Sequence, residues 1–223
     1  MAREGSLDTG PLYRDRVDAG AQLARALSAY QGKETLVLGI PRGGVVVAAQ
    51  LAQALGAELD VIVARKLGAP ISDELAIGAV TASGGRFMNE EILRELHVPD
   101  DYVEATAARE QAEAARRESR FRAGRAPPRV EGRTVIVVDD GLATGATMRA
   151  AARALRREGP ARVIAAVPVG SPEACAALRD EVDEVVCLAT PEDFDAVGAF
   201  YQDFRQTQDS EVERLLAEAR SAA

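Results

Sequence analysis

Residues 134–150, T-V-I-V-V-D-D-G-L-A-T-G-A-T-M-R-A, constrain this chain more than any other stretch. Five β-branched residues from Thr134 to Val138 read as a strand buried on both faces, the pattern of a parallel sheet covered by helices. Two carboxylates, Asp139 and Asp140, stand at its end, and a Gly/Thr turn then leads into an Ala-rich helix. In an open parallel sheet, ligands bind beyond the carboxyl ends of the strands, and a helix N-terminus offers an anion unpaired N–H groups and a positive dipole end. An acidic pair repels phosphate, so it must serve another part of the ligand: neutral hydroxyls, or a divalent cation already carrying phosphate. The turn Ala143-Thr144-Gly145-Ala146-Thr147 supplies hydroxyls, successive N–H groups and a glycine able to take positive φ, the components of a phosphate nest. It is not a P-loop, because no Gly-Lys-Ser/Thr follows.

The rest of the chain alternates strands with helices. Residues 18–30 place Leu23, Ala26, Leu27 and Tyr30 on one helical face. A short buried strand over 35–39 runs through the loop Ile40-Pro41-Arg42-Gly43-Gly44 into a helix of about 45–55, and Gly56 separates that helix from a strand over 59–64. Such a unit implies a parallel pair with a right-handed crossover. Arg65 and Lys66 stand where that second strand is expected to end. Leu75 to Val80 and Arg86-Phe87, around Ser83-Gly84-Gly85, suggest a small hairpin, and the charged, Ala-rich run 89–125 predicts one long, mostly exposed helix. Strands over 162–167 and 182–188 follow, with Ser171-Pro172 opening a helix between them and a last helix running from Asp209 to about Arg220. The expected fold class is α/β: a doubly wound, mainly parallel twisted sheet flanked by helices, with an inserted helical segment and a small C-terminal hood. With 223 residues and 47% hydrophobic composition, a single domain over 1–223 suffices. Its core covers about 17–188, the insertion about 67–128, and the hood and closing helix about 189–223.

Composition narrows the function. A net charge of −8 opposes general nucleic-acid binding, whose affinity comes from neutralising phosphates with Lys and Arg. No run approaches a membrane span, and the segment M-A-R-E-G-S-L-D lacks the apolar core of a signal peptide, so a cytoplasmic location is expected. His97, the one histidine, sits at an apparent helix end beside Val98-Pro99, which suits capping or solvation; mechanisms built on a histidine base have little to use. Cys175 and Cys187 are too far apart in sequence for a CxxC motif and read as ordinary buried thiols.

The run V-I-V-V-D-D-G-L-A-T-G-A-T resembles the signature of the type I phosphoribosyltransferases, which bind 5-phosphoribosyl 1-diphosphate (PRPP) with Mg²⁺. The resemblance covers most of the chain. It implies that Asp139 and Asp140 hold the ribose hydroxyls near Mg²⁺, directly or through water, and that residues Ala143, Thr144, Gly145, Ala146 and Thr147 hold the 5′-phosphate. The loop Pro41-Arg42-Gly43-Gly44 is similar to the family's pyrophosphate loop, where glycines let N–H groups approach oxygens and Arg42 can bind them bidentately. Arg65 and Lys66 then neutralise further diphosphate charge, and the segment 67–87, rich in glycine, takes the place of a mobile catalytic lid. The piece P-E-D-F-D-A-V-G-A-F-Y-Q-D-F resembles a hood whose Phe194 stacks on the acceptor base. On this likeness Asp139, Asp140 and Arg42 carry the catalysis, and a homodimer acting on PRPP and a small-molecule acceptor is expected.

Two departures bear on the acceptor. Ala143 stands where 6-oxopurine enzymes of the family carry an aspartate base, and the strand A-A-V-P-V-G-S has no lysine to read a 6-oxo group. The acceptor is therefore undetermined at this level. Two readings stay open: transfer of phosphoribose to a nitrogenous acceptor, or a sensor that binds PRPP or a nucleotide without turnover.

Overall fold

The computed structural model describes residues 10–32 and 34–221; the amino-terminal segment read above for a leader lies outside them. In chain order the elements are α1 (Arg16–Ala26), a 3₁₀ turn (Ser28–Tyr30), β1 (Thr35–Gly39), α2 (Gly43–Leu55) and β2 (Glu58–Val61). An insertion follows with β3 (Ala64–Ala69), β4 (Ser72–Thr81), β5 (Arg86–Met88), α3 (Glu90–Glu95) and α4 (Asp100–Phe121). The chain returns with β6 (Thr134–Val138), α5 (Ala146–Arg156), β7 (Arg162–Val169), α6 (Pro172–Leu178), β8 (Glu184–Ala189), a 3₁₀ turn (Val197–Phe200) and α7 (Asp209–Ser221).

The main sheet has five strands in the order β2-β1-β6-β7-β8, all parallel. Its β-branched runs are buried on both faces because alternate side chains feed two separate cores. Val37, Ile136, Val138, Ile164 and Ala166 pack with residues of α1, α2 and α7. Leu36, Leu38, Val135, Val137, Val163 and Ala165 pack with α5 and α6. The central strands β1 and β6 are both loaded at their carboxyl ends, where the acidic pair and the Arg42 loop lie.

The insertion departs from expectation in three ways, each with a physical cause. The run 89–125 is two helices, not one. Asn89 caps α3 by accepting from the Ile92 N–H at 3.3 Å, His97 takes φ 49°, and Pro99 precludes helix at Val98 before α4 restarts at Asp100. Most of α4 is exposed or half-buried, as expected, but one side is core: Thr106, Ala107, Ala114 and Phe121 are buried, with Ala107 against the β3–β4 sheet and Ala114 and Phe121 in the core shared with α7.

Second, the strand expected over 59–64 ends at Val61, so Arg65 and Lys66 do not close a core strand; they open β3 of a separate antiparallel sheet, β3-β4-β5. Side chains from the end of α4 take the backbone groups that a longer β2 would present. Arg122 Nη2 donates to the Val61 carbonyl at 2.9 Å and the Val63 N–H donates to Glu118 Oε2 at 2.9 Å. Arg122 itself is buried between Asp60 and Glu118.

Third, residues 75–80 and 86–87 pair as the hairpin that the sequence suggests, within β4 and β5, but docked. At Gly85 an added Cβ would lie 2.7 Å from the Ala150 carbonyl of α5, so this glycine serves close packing of the sheet onto α5. Phe87 is covered on the same side by the Arg149 guanidinium, 4.0 Å from its ring centroid.

Candidate active site

The site is built where β1 and β6 end. Beyond Val138, Asp139 and Asp140 leave the sheet edge, and the turn after them is tied to the neighbouring strand. Leu142 N–H donates to the Val169 carbonyl at 2.9 Å, and Ser171 N–H returns a bond to the Leu142 carbonyl at 2.9 Å. Ser171 also caps α6, accepting from Ala174 N–H at 3.1 Å while its hydroxyl donates to the Ala143 carbonyl at 2.9 Å. One hydroxyl thus fixes both a helix start and the turn. Ser171→Ala is expected to lower stability by about 1 kcal/mol and to loosen the turn, read as a lower Tm together with weaker binding of any phosphate ligand there.

Gly145, at φ 74°, starts α5, and no side chain caps that helix. Its first-turn N–H groups therefore face outward with Thr144 exposed and Thr147 half-buried beside them. This is the stretch, 143–147, for which the sequence suggests an anion cradle. The second loop carries a cis peptide at Pro41–Arg42, and Gly43 and Gly44 open α2, again without a side-chain cap. This loop touches the acidic pair. A Cβ on Gly44 would stand 2.7 Å from the Val138 carbonyl and 2.9 Å from Asp139 Cα, and one on Gly43 would overlap Asp140 Oδ2.

The carboxylates differ in their surroundings. Asp140 Oδ2 accepts from Arg16 Nε at 2.7 Å, and its backbone carbonyl accepts from the Tyr201 hydroxyl at 2.5 Å. Arg16 is held in turn by the Phe204 ring, 3.9 Å below its guanidinium, and by the Arg205 carbonyl. Asp139 Oδ1 accepts from the Asp140 N–H at 2.9 Å. Burial, and then repulsion from Asp140, push the Asp139 carboxyl well above the usual carboxylate range. A pair that one arginine balances incompletely favours additional positive charge or hydroxyl donors, and such perturbed groups concentrate at functional sites.

Of the other expected residues, Arg42 lies at the crevice with Nη1 3.8 Å from Asp209 Oδ1. Arg65 turns to α4, where Nε meets Glu110 Oε2 at 2.6 Å, while Lys66 is exposed. Phe194 stacks on Phe200, ring centroids 5.4 Å apart, and packs in the hood cluster of Tyr13, Val169, Phe200 and Tyr201. Cys175 of α6 and Cys187 of β8, distant in sequence, both bring their sulfurs against Gly170, and the Cys187 thiol donates to the Ala189 carbonyl at 3.1 Å.

Arg16, Tyr201, Phe204 and Asp209 complete the surroundings of the two loops and were not singled out from the sequence. Arg16 reaches Asp140 across 124 positions, and no local pattern marks a contact of that range.

Comparison with known proteins places the chain in a family. A family described as "Phosphoribosyl transferase domain" matches residues 12–204. The chain belongs to the phosphoribosyl transferase domain family. Two proteins from Mycobacterium tuberculosis strains, each named "Putative phosphoribosyl transferase", are 46% identical to it over 208 residues, 93% of this chain and 47% of theirs. The chain therefore spans about half the length of the curated relatives it matches. The crystal structure of TT1426 from Thermus thermophilus is 47% identical, with a TM-score of 0.79 over 92% of this chain and 98% of that one. The matched region contains the acidic pair, its Gly/Thr turn and the Arg42 loop. No helix among the described residues is long and apolar enough to cross a membrane.

Proposed function

We propose that this phosphoribosyl transferase domain transfers the 5-phosphoribosyl group of PRPP to a nitrogenous acceptor and releases pyrophosphate. The observation that carries the reading is the contact of the Gly43–Gly44 loop with an acidic pair that leads directly into the uncapped start of α5. A phosphate at one end of a sugar, a diphosphate at the other and hydroxyls between them match that order. The uncapped start of α5, with Thr144 and Thr147, takes the 5′-phosphate. Asp139 and Asp140 accept from the ribose 2′- and 3′-hydroxyls, and Arg42 with the N–H groups of Gly43 and Gly44 takes the diphosphate. Lys66 can reach it from the rim; Arg65 is already neutralised by Glu110.

The C1–oxygen bond to the diphosphate breaks, a bond from C1 to the acceptor nitrogen forms, and the displaced proton leaves to solvent. Charge on the leaving group is the main barrier, so catalysis consists of stabilising it and holding the reactants in line. The donor set suits Mg²⁺, since two adjacent carboxylates are hard oxygen ligands, their charge is incompletely balanced, and substrate oxygens and water can fill the remaining positions. When bound, Mg²⁺ neutralises diphosphate charge; Asp139 and Asp140 are the residues that would hold it.

Ala143 supplies no base, which favours acceptors that need none. The same absence supports a second reading, a PRPP sensor without turnover. Purified protein with Mg²⁺ and PRPP, assayed for pyrophosphate release across purines, pyrimidines, orotate and simple amines, separates them. Release with one acceptor supports transfer, binding without release supports the sensor, and no PRPP binding by calorimetry rejects both.

A further inference from the structure

The carboxylate of Asp209, at the start of α7, is met by three guanidinium groups. Arg117 Nη2 lies 3.2 Å from Oδ1 and Arg120 Nη1 3.2 Å from Oδ2, both from α4, whereas Arg42 Nη1 stands 3.8 Å from Oδ1. Arg120 also meets Glu213 at 2.8 Å. The side chains of Arg42, Arg117 and Asp209 keep 30%, 29% and 26% of their exposure, so solvent and a charged ligand can reach them. Three positive groups and two carboxylates leave this cluster with net positive charge beside the Gly43–Gly44 loop. Arg42 is the shared member: its backbone belongs to the loop and its side chain to the cluster.

The geometry points to Asp209 as an internal anion that competes with the substrate's diphosphate for Arg42, with Arg117 and Arg120 setting the strength of that competition. This rests on the reading of the Arg42 loop as the diphosphate site. The two α4 arginines hold Asp209 at hydrogen-bond distance and draw its charge away from Arg42, which is the longest of the three contacts. A diphosphate, with more negative charge than one carboxylate, takes Arg42 over, and Asp209 remains with α4. Occupancy of the loop is thereby linked to the inserted helix and to α7. Asp209 therefore lowers affinity in the intact protein, and removing Arg117 and Arg120 frees it to hold Arg42 more firmly.

The test is a cycle of variants measured by calorimetry with inorganic pyrophosphate and with PRPP, both with Mg²⁺. Asp209→Asn keeps the shape of the side chain and removes its charge. It is expected to bind both ligands about threefold to fivefold more tightly at low salt, as for a partly exposed ion pair, with the gain shrinking as salt is raised. Arg117→Ala with Arg120→Ala is expected to weaken binding by a similar factor in the native background and to have no effect in the Asp209→Asn background. That last null result is one that a merely structural role of the arginines does not produce. Wild-type protein that binds both ligands while Asp209→Asn leaves affinity unchanged or weaker overturns this inference alone. An arginine effect that persists without Asp209 also overturns it, because the arginines are then ligands themselves. Wild-type protein that binds neither ligand overturns the diphosphate reading together with it.

Discussion

Asp139→Asn is expected to reduce PRPP binding by about 10-fold to 100-fold and, at neutral pH, to raise the Tm of the empty protein. The loss in binding follows from replacing a charged acceptor of ribose hydroxyls, since hydrogen bonds to charged groups contribute about 1.5–3 kcal/mol. The gain in stability follows from the surroundings of Asp139, where burial and then the neighbouring Asp140 oppose ionisation. The sign is fixed by linkage. A carboxyl whose affinity for protons is raised on folding costs stability as pH climbs above its unfolded value of about 4, because the folded protein must give up a proton it holds more tightly. Asparagine removes that cost, so the Tm difference between the variant and the native protein should shrink as the pH falls and Asp139 becomes protonated. PRPP binding by the native protein should weaken over the same acid range, since the ribose needs the ionised form. Calorimetry and thermal melts between pH 5 and about pH 8 check both statements. Asp140→Asn should differ: it removes the partner of Arg16, which is bonded to it at 2.7 Å and only 11% exposed, and so is expected to lower stability rather than raise it. A rise in Tm for Asp140→Asn, or none for Asp139→Asn, would contradict this account of the pair.

Gly44→Ala is the second large effect. The added methyl would stand 2.7 Å from the Val138 carbonyl and 2.9 Å from Asp139 Cα, backbone atoms that cannot rotate away. Relief requires the Gly43–Gly44 loop to move away from the end of β6 and its acidic pair. The expected cost is about 1–3 kcal/mol of stability, as for an overfilled core, and the loss of measurable transfer, because the diphosphate loop and the ribose carboxylates then no longer share one ligand. Gly10→Ala, where nothing lies within 4 Å of the new atom, is the control and should leave Tm and binding unchanged. Wild-type PRPP affinity in Gly44→Ala would mean that contact between this loop and the acidic pair does not matter for the ligand.

Much of this was readable from the chain because it is local. β1 falls at Thr35–Gly39 and β6 at Thr134–Val138, where β-branched or aliphatic runs must be buried on both faces, and Ser171 with Pro172 starts α6 as a cap and a first-turn proline should. The insertion was read less well because its residues are ambiguous by composition. Alanines at 107 and 114 look neutral on a charged helix, and only the sheet and the helix packed against them make those positions core. Likewise the glycine at 85 reads as mobility and proves to be close packing, a difference that depends on α5 lying against it.

The sequence by itself determined the parallel sheet, the acidic pair at the end of its central strand and the Gly/Thr turn that follows. Strand burial, adjacent charges and turn chemistry act over a few residues and leave their mark in order along the chain. Only the tertiary structure decided that Gly44 presses on Asp139, that Arg16 balances Asp140 under Phe204, and that Arg42 shares Asp209 with two arginines of the insertion. Those contacts join positions far apart in sequence. Charge and close packing depend on distance in space, which composition and periodicity do not encode.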